Sequence, residues 1–133
     1  MLARSISKAA RGDARIERAL VVVAVKESGL ASYVQEGRCM DGPRGSRCDP
    51  LHGKPRARTA FQVWQMTCPA AWRERPGSQA ESDAAAVCTA GLLRSGWARC
   101  GTVEGMFAAM WGRPVCESPR SAERAELYGR MKP

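Results

Sequence analysis

Six cysteines, Cys39, Cys48, Cys68, Cys88, Cys100 and Cys116, stand far apart in a chain of 133 residues, with no CxxC pair and a single histidine, His52. Structural zinc sites draw on Cys and His at close spacing, so this pattern argues against a metal site. It argues instead for up to three disulfides, which form and persist in oxidising compartments. A secreted or periplasmic protein is therefore expected, with any export signal removed ahead of Met1. Six cysteines allow many pairings and the spacing does not choose among them. Neighbours in sequence are taken as the expectation: Cys39 with Cys48, Cys68 with Cys88, Cys100 with Cys116. The alternative is a set of buried, reduced thiols in a cytosolic protein.

The length suits one domain built on one hydrophobic core, so a two-domain enzyme is not expected. The formal net charge is +8 and arginine dominates it, since only Lys8, Lys26, Lys54 and Lys132 are lysines. A cationic surface attracts anionic partners over a long range. The basic residues are scattered and form no dense block, so no nucleic acid is expected as partner. The apolar run "ALVVVAV" is too short to cross a bilayer, so no membrane span is expected either. The chain is read as a monomer.

"LARSISKAARG" reads as a short helix closed by Gly12, with Asp13 capping the next. From Ala14 to about Glu27, Ile16, Leu20, Val23 and Ala24 recur at helical spacing, although the β-branched run Val21 to Val23 could also be a strand. Charges at Arg15, Glu17 and Arg18 on the other side favour the helix. Residues 37–58, "GRCMDGPRGSRCDPLHGKPRAR", are rich in Gly, Pro and Arg and predict a long irregular loop or small lobe. "TAFQVWQM" is apolar and compact. "TCPAAWRER" predicts a short helix with Thr67 as its cap. "SQAESDAAAVCTAGLLRSG" opens with Ser78 and Glu81 in capping-box spacing, places Ala84, Val87, Cys88 and Leu92 on one face, and ends at Gly96. Two further helices follow, capped by Thr102 and Ser118. The sum is a mostly α domain of about five to seven helices.

Glu27 closes the apolar helix and precedes Ser28 and Gly29. A carboxyl at such a place, partly withdrawn from water, suits a general acid. In this setting "ALVVVAVKESGL" resembles the catalytic helix of the lysozyme-like peptidoglycan hydrolases, the lytic transglycosylases and goose-type lysozymes, whose motif is an apolar helix ending in Glu-Ser. "TAFQVWQMT" is similar to the family's second motif and puts Gln62 on its substrate-binding glutamine. "AAVCTAGLLR" looks like the helix behind the cleft, "MFAAMWGRP" like the Ala-Tyr-Asn-Gly element, and "ERAELYGRM" like the closing helix with its Tyr, here Tyr128. The ordered set runs from about Ile16 to Met131. Three departures stand out. The Ser and Gly-Ala between the first two motifs give way to the cysteine-bearing loop, the glycine before the glutamine motif is Thr59, and the Tyr-Asn pair is Met110 and Trp111.

The resemblance implies a disulfide-stabilised, lysozyme-like single domain over residues 1–133, acting on peptidoglycan glycan strands without metal or organic cofactor. It would cleave the β-1,4 bond between N-acetylmuramic acid and N-acetylglucosamine, with Glu27 protonating the leaving oxygen and Ser28, Tyr33, Gln62, Trp111 and Tyr128 around the substrate. A lytic transglycosylase then uses the same glutamate as base and forms an anhydro ring, whereas a hydrolase activates water with a second acid at ~6.5–9.5 Å. Asp41 and Asp49 are the candidates for that acid, Glu36 a third, although "DG" and "DP" are also ordinary turn formers. Trp72 and Trp97 are expected in the core. His52 could orient Asp49. The alternative function is a non-catalytic, disulfide-stabilised lysozyme-like module that holds glycan or blocks a partner enzyme, which the lost Tyr-Asn pair favours.

Overall fold

The computed structural model describes residues 1–30 and 57–131. Six helices and one short hairpin occur among them: α1 Leu2–Ala10, α2 Ala14–Ser28, β1 Ala57–Arg58, β2 Val63–Trp64, α3 Pro69–Trp72, α4 Gln79–Cys100, α5 Val103–Ala108 and α6 Pro119–Arg130. The mostly helical domain expected from the sequence is present. The long loop expected at 37–58 lies, apart from its last two residues, outside the described residues.

Local side-chain chemistry sets most helix starts. Asp13 accepts from the amides of Arg15 and Ile16, Ser78 from Glu81, Thr102 from Gly105 and Ser118 from Ser121, each satisfying an N–H that has no partner within its helix. α1 ends one residue earlier than Gly12, at Arg11 with φ 51°. The expected cap Thr67 is not one: α3 begins from Cys68 and has no side-chain cap. Cys68 is fully buried, and its disulfide to Cys88 holds this end of the helix covalently.

α4 departs from the sequence reading in two ways. It runs through Gly96 to Cys100 and closes at Gly101, with φ 67° and its N–H on the Trp97 carbonyl. Gly96 is therefore no terminator. A Cβ there would lie 2.3 Å from the Met106 carbonyl oxygen, so the residue lets α5 approach the α4 backbone. The buried face is also different from the expected Ala84, Val87, Cys88 and Leu92, for Val87 is half exposed and the other three only partly buried. Ser82, Ala85, Ala86, Thr89, Ala90, Leu93 and Gly96 face inward instead. All but Leu93 are small and permit close helix contact, so backbone proximity has outweighed side-chain bulk in choosing most of the face.

α4 is the spine, packing on α1, α2, α3 and α5, while α6 packs on α5 and α2. α2 lies between α1, α4 and α6, and Ile16, Ala19, Leu20, Val22, Val23 and Ala24 are all buried. The β-branched run is thus helical, its valines held by tertiary burial. Arg15 and Arg18, expected on the solvated side, lie over the rings of Trp97 and Tyr128 at 3.8 and 4.8 Å. Trp97 and Trp72 are partly buried against the core, and the Trp72 indole N–H donates to the Val63 carbonyl.

Two expected disulfides are present, Cys68–Cys88 and Cys100–Cys116, with Cα separations of 5.9 and 5.6 Å. Cys39 and Cys48 lie outside the described residues. The first bridge ties α3 to α4, and the second ties the end of α4 to the segment before α6. No helix among the described residues is long and apolar enough to cross a membrane.

Candidate functional site

α2 stops where Gly29 turns left-handed at φ 61° and donates its N–H to the Val25 carbonyl at 2.8 Å. This leaves the last two side chains in opposite situations. Ser28 is buried and donates to the Ala24 carbonyl at 2.8 Å, so it fastens the helix end. Glu27 is a quarter exposed and faces α6. There Arg124 donates from Nη2 to Glu27 Oε1 at 2.7 Å, a charge-assisted hydrogen bond between residues 97 apart in the chain. The Arg124 side chain is only 10% exposed and also donates to the Arg120 carbonyl.

Glu27 and Arg124 line a cavity of about 280 Å³ bounded by the end of α2, by α5 with the turn after it, and by the start of α6. That volume lies just below the ~300–1,000 Å³ usual for small-molecule sites. Phe107 and Met110 supply apolar wall, and the 39% exposed indole of Trp111 stands at the same site. Arg113 and Arg120, both exposed, also line it, so that among the described residues three guanidinium groups accompany one carboxylate. Such a site can hold a ring against an aromatic face beside a carboxylate and several guanidinium donors.

The remaining expected site residues are distributed elsewhere. Gln62 belongs to the hairpin turn, where Ala57 pairs with Trp64 and Arg58 with Val63. Its side-chain amide donates to the Thr59 carbonyl at 2.8 Å, it is 8% exposed, and it does not line the cavity. Thr59 and Gln62 both have positive φ, 67° and 52°, and Thr59, Ala60 and Phe61 are buried. A β-branched residue in the left-handed region is strained and is held there by its surroundings. Tyr128 is outside the lining as well, packing edge-on against Phe107 beneath Arg18. Tyr33, Glu36, Asp41, Asp49 and His52 lie outside the described residues. Among the described residues no cluster of three His, Cys, Asp or Glu could hold a metal ion.

Sequence reasoning missed Arg113, Arg120 and Arg124. For Arg124 a signal existed: it sits three residues after buried Ser121 and four before Tyr128, on the packing side of α6, where an arginine needs a counter-charge. No family model, curated protein or solved structure matches this chain.

Proposed function

We propose that this protein is a lysozyme-like glycosidase, secreted or periplasmic, that cleaves the β-1,4 bond between N-acetylmuramic acid and N-acetylglucosamine in peptidoglycan. The observation that carries the reading is the position of Glu27: the last-turn carboxylate of the apolar helix opens onto a cavity beside an exposed indole. The hairpin turn adds support. Thr59 stands where the resembling motif has glycine, and its backbone adopts the left-handed conformation that glycine favours. A cationic chain also suits a target rich in carboxylates.

Glu27 gives its proton to the leaving sugar oxygen, because the alkoxide is too basic to depart unaided. The substrate's own C6 hydroxyl then closes on the anomeric carbon as Glu27 takes the hydroxyl proton, giving an anhydro end. The one-acid course is preferred because it needs no second carboxylate, and the candidates for one, Asp41 and Asp49, stand in "DG" and "DP" sequences that turn formation alone accounts for. Mass spectrometry of digested peptidoglycan tests the proposal. Anhydro ends from the wild type and none from a folded Glu27→Gln variant are expected. Comparable turnover by the variant sinks the assignment of Glu27, and reducing ends move the protein to the hydrolytic branch.

A second reading, a non-catalytic module that holds glycan, is favoured by the ion pair itself, since a carboxylate engaged by Arg124 has a structural employment. Binding of glycan strands with no product from the wild type would establish it.

A further inference from the structure

Among the described residues, the cavity lining carries more positive charge than its one carboxylate balances. Arg113 and Arg120 form no ion pair with a described carboxylate, while Arg124 spends its charge on Glu27. Glu104 approaches Ser121 at 3.5 Å and does not line the cavity. The N-terminus of α6 adds little of its own, because Pro119 has no N–H and Ser118 takes the N–H of Ser121. The excess charge is therefore arginine charge, in the planar fork geometry that matches carboxylates.

We infer that Arg124 is an exchangeable counter-ion, leaving Glu27 for a carboxylate on the bound glycan, so that the site selects acidic glycans over neutral ones of the same length. The inference rests on the glycosidase reading of the cavity. Its physical basis is the burial of Arg124. An acid that is to donate a proton must first be neutral, and a neutral Glu27 leaves a guanidinium only 10% exposed without a counter-charge. A ligand carboxylate, such as the lactyl carboxylate of an N-acetylmuramic acid that carries no peptide, replaces the lost partner with Arg113 and Arg120 beside it. A neutral N-acetylglucosamine oligomer brings no such group, and the Glu27–Arg124 pair stays closed. The same arginine is thus a lock on the acid and a reader of the substrate.

Calorimetric binding of peptide-free glycan strands, the same strands with carboxyls reduced to alcohols, and N-acetylglucosamine oligomers of equal length tests this. The wild type should prefer the acidic strands by about tenfold, the scale of one charge-assisted hydrogen bond. Raising the salt should erode the preference. Glu27→Gln, which frees Arg124 in advance, should tighten the acidic strands alone. Arg124→Lys should retain part of the preference. Should Arg124→Gln fail to fold, the double variant Glu27→Gln/Arg124→Gln replaces the ion pair with two amides, and it should lose most of the preference, keeping only what Arg113 and Arg120 supply. Equal wild-type affinities, no measurable binding of acidic strands, or a preference undiminished in the double variant overturns the inference. Cleavage without charge preference refutes the exchange and leaves the glycosidase reading standing; charge-selective binding without cleavage does the reverse.

Discussion

Replacing Gly96 with alanine should destabilise the protein, although alanine is the better helix former. Two effects compete. Glycine to alanine inside a helix gains about 0.5–1 kcal/mol from backbone entropy and propensity. Against it stands the Cβ, which would lie 2.3 Å from the Met106 oxygen, 3.0 Å from the Met106 carbonyl carbon and 3.1 Å from the Met110 amide. A carbon and a carbonyl oxygen approach to about 3.3 Å, so α5 must withdraw by roughly 1 Å. The obstruction is backbone and cannot rotate away, which places the cost near the upper end of the ~1–3 kcal/mol range for overpacking. The net loss is about 2 kcal/mol. Gly91 is the internal control, lying in the same helix with nothing within 4 Å of its would-be Cβ. Gly91→Ala should therefore gain the helix term unopposed, and the two variants should differ by about 3 kcal/mol. At a urea slope of about 1.5 kcal/mol/M this separates their midpoints by about 2 M. Because Met110 and Trp111 follow α5 into the cavity, Gly96→Ala should also weaken glycan binding. Coincident urea midpoints for the two variants would refute the close-approach argument.

The Cys68→Ser/Cys88→Ser variant should lose about 3 kcal/mol in the loop-entropy account, read as a lower urea midpoint, and an unchanged midpoint would deny that the bridge stabilises. Burial drives the Glu81 carboxyl above its ordinary range, with the Gly77 amide and the Arg58 charge offsetting part of the effect. The folded chain then holds this proton more tightly than the unfolded one, so stability should fall as pH rises from about 4.5 through the raised value. Glu81→Gln should remove that slope from a series of urea melts, and an unaltered slope would count against it. Asp41→Asn and Asp49→Asn should each keep activity within about tenfold, whereas a required base costs ~10²–10⁴. A hundredfold loss in the Asp49 variant would install a second acid.

What the sequence disclosed was mainly short-range. Asp13, Ser78, Thr102 and Ser118 are legible because a cap needs only an amide two or three residues away. The packing face of α4 was not, since small residues mark it and only the proximity of α5 and α1 gives them meaning. Thr67 looked like a cap, yet burial of Cys68 and its bridge decided where α3 starts. At the candidate site, Glu27 was found from its helix position and Trp111 from its place after the α5 motif. Their setting was not, because the guanidinium on Glu27 comes from the far end of the chain. Ser28 and Gln62 matched motif positions by identity, while their hydrogen bonds go to neighbouring carbonyls.

Each of the two bridges joins one cysteine to the next along the chain, Cys68 to Cys88 and Cys100 to Cys116. A chain oxidised as it emerges, N-terminal part first, offers Cys88 as the next thiol after Cys68, before Cys100 is in reach. The second pair then closes within 16 residues. Order of appearance and native pairing coincide for these four cysteines, so among them the bonds can form once without reshuffling through mixed disulfides. With Cys39 and Cys48 replaced by serine, an oxidant alone should give the native bridges at both positions, without a disulfide isomerase.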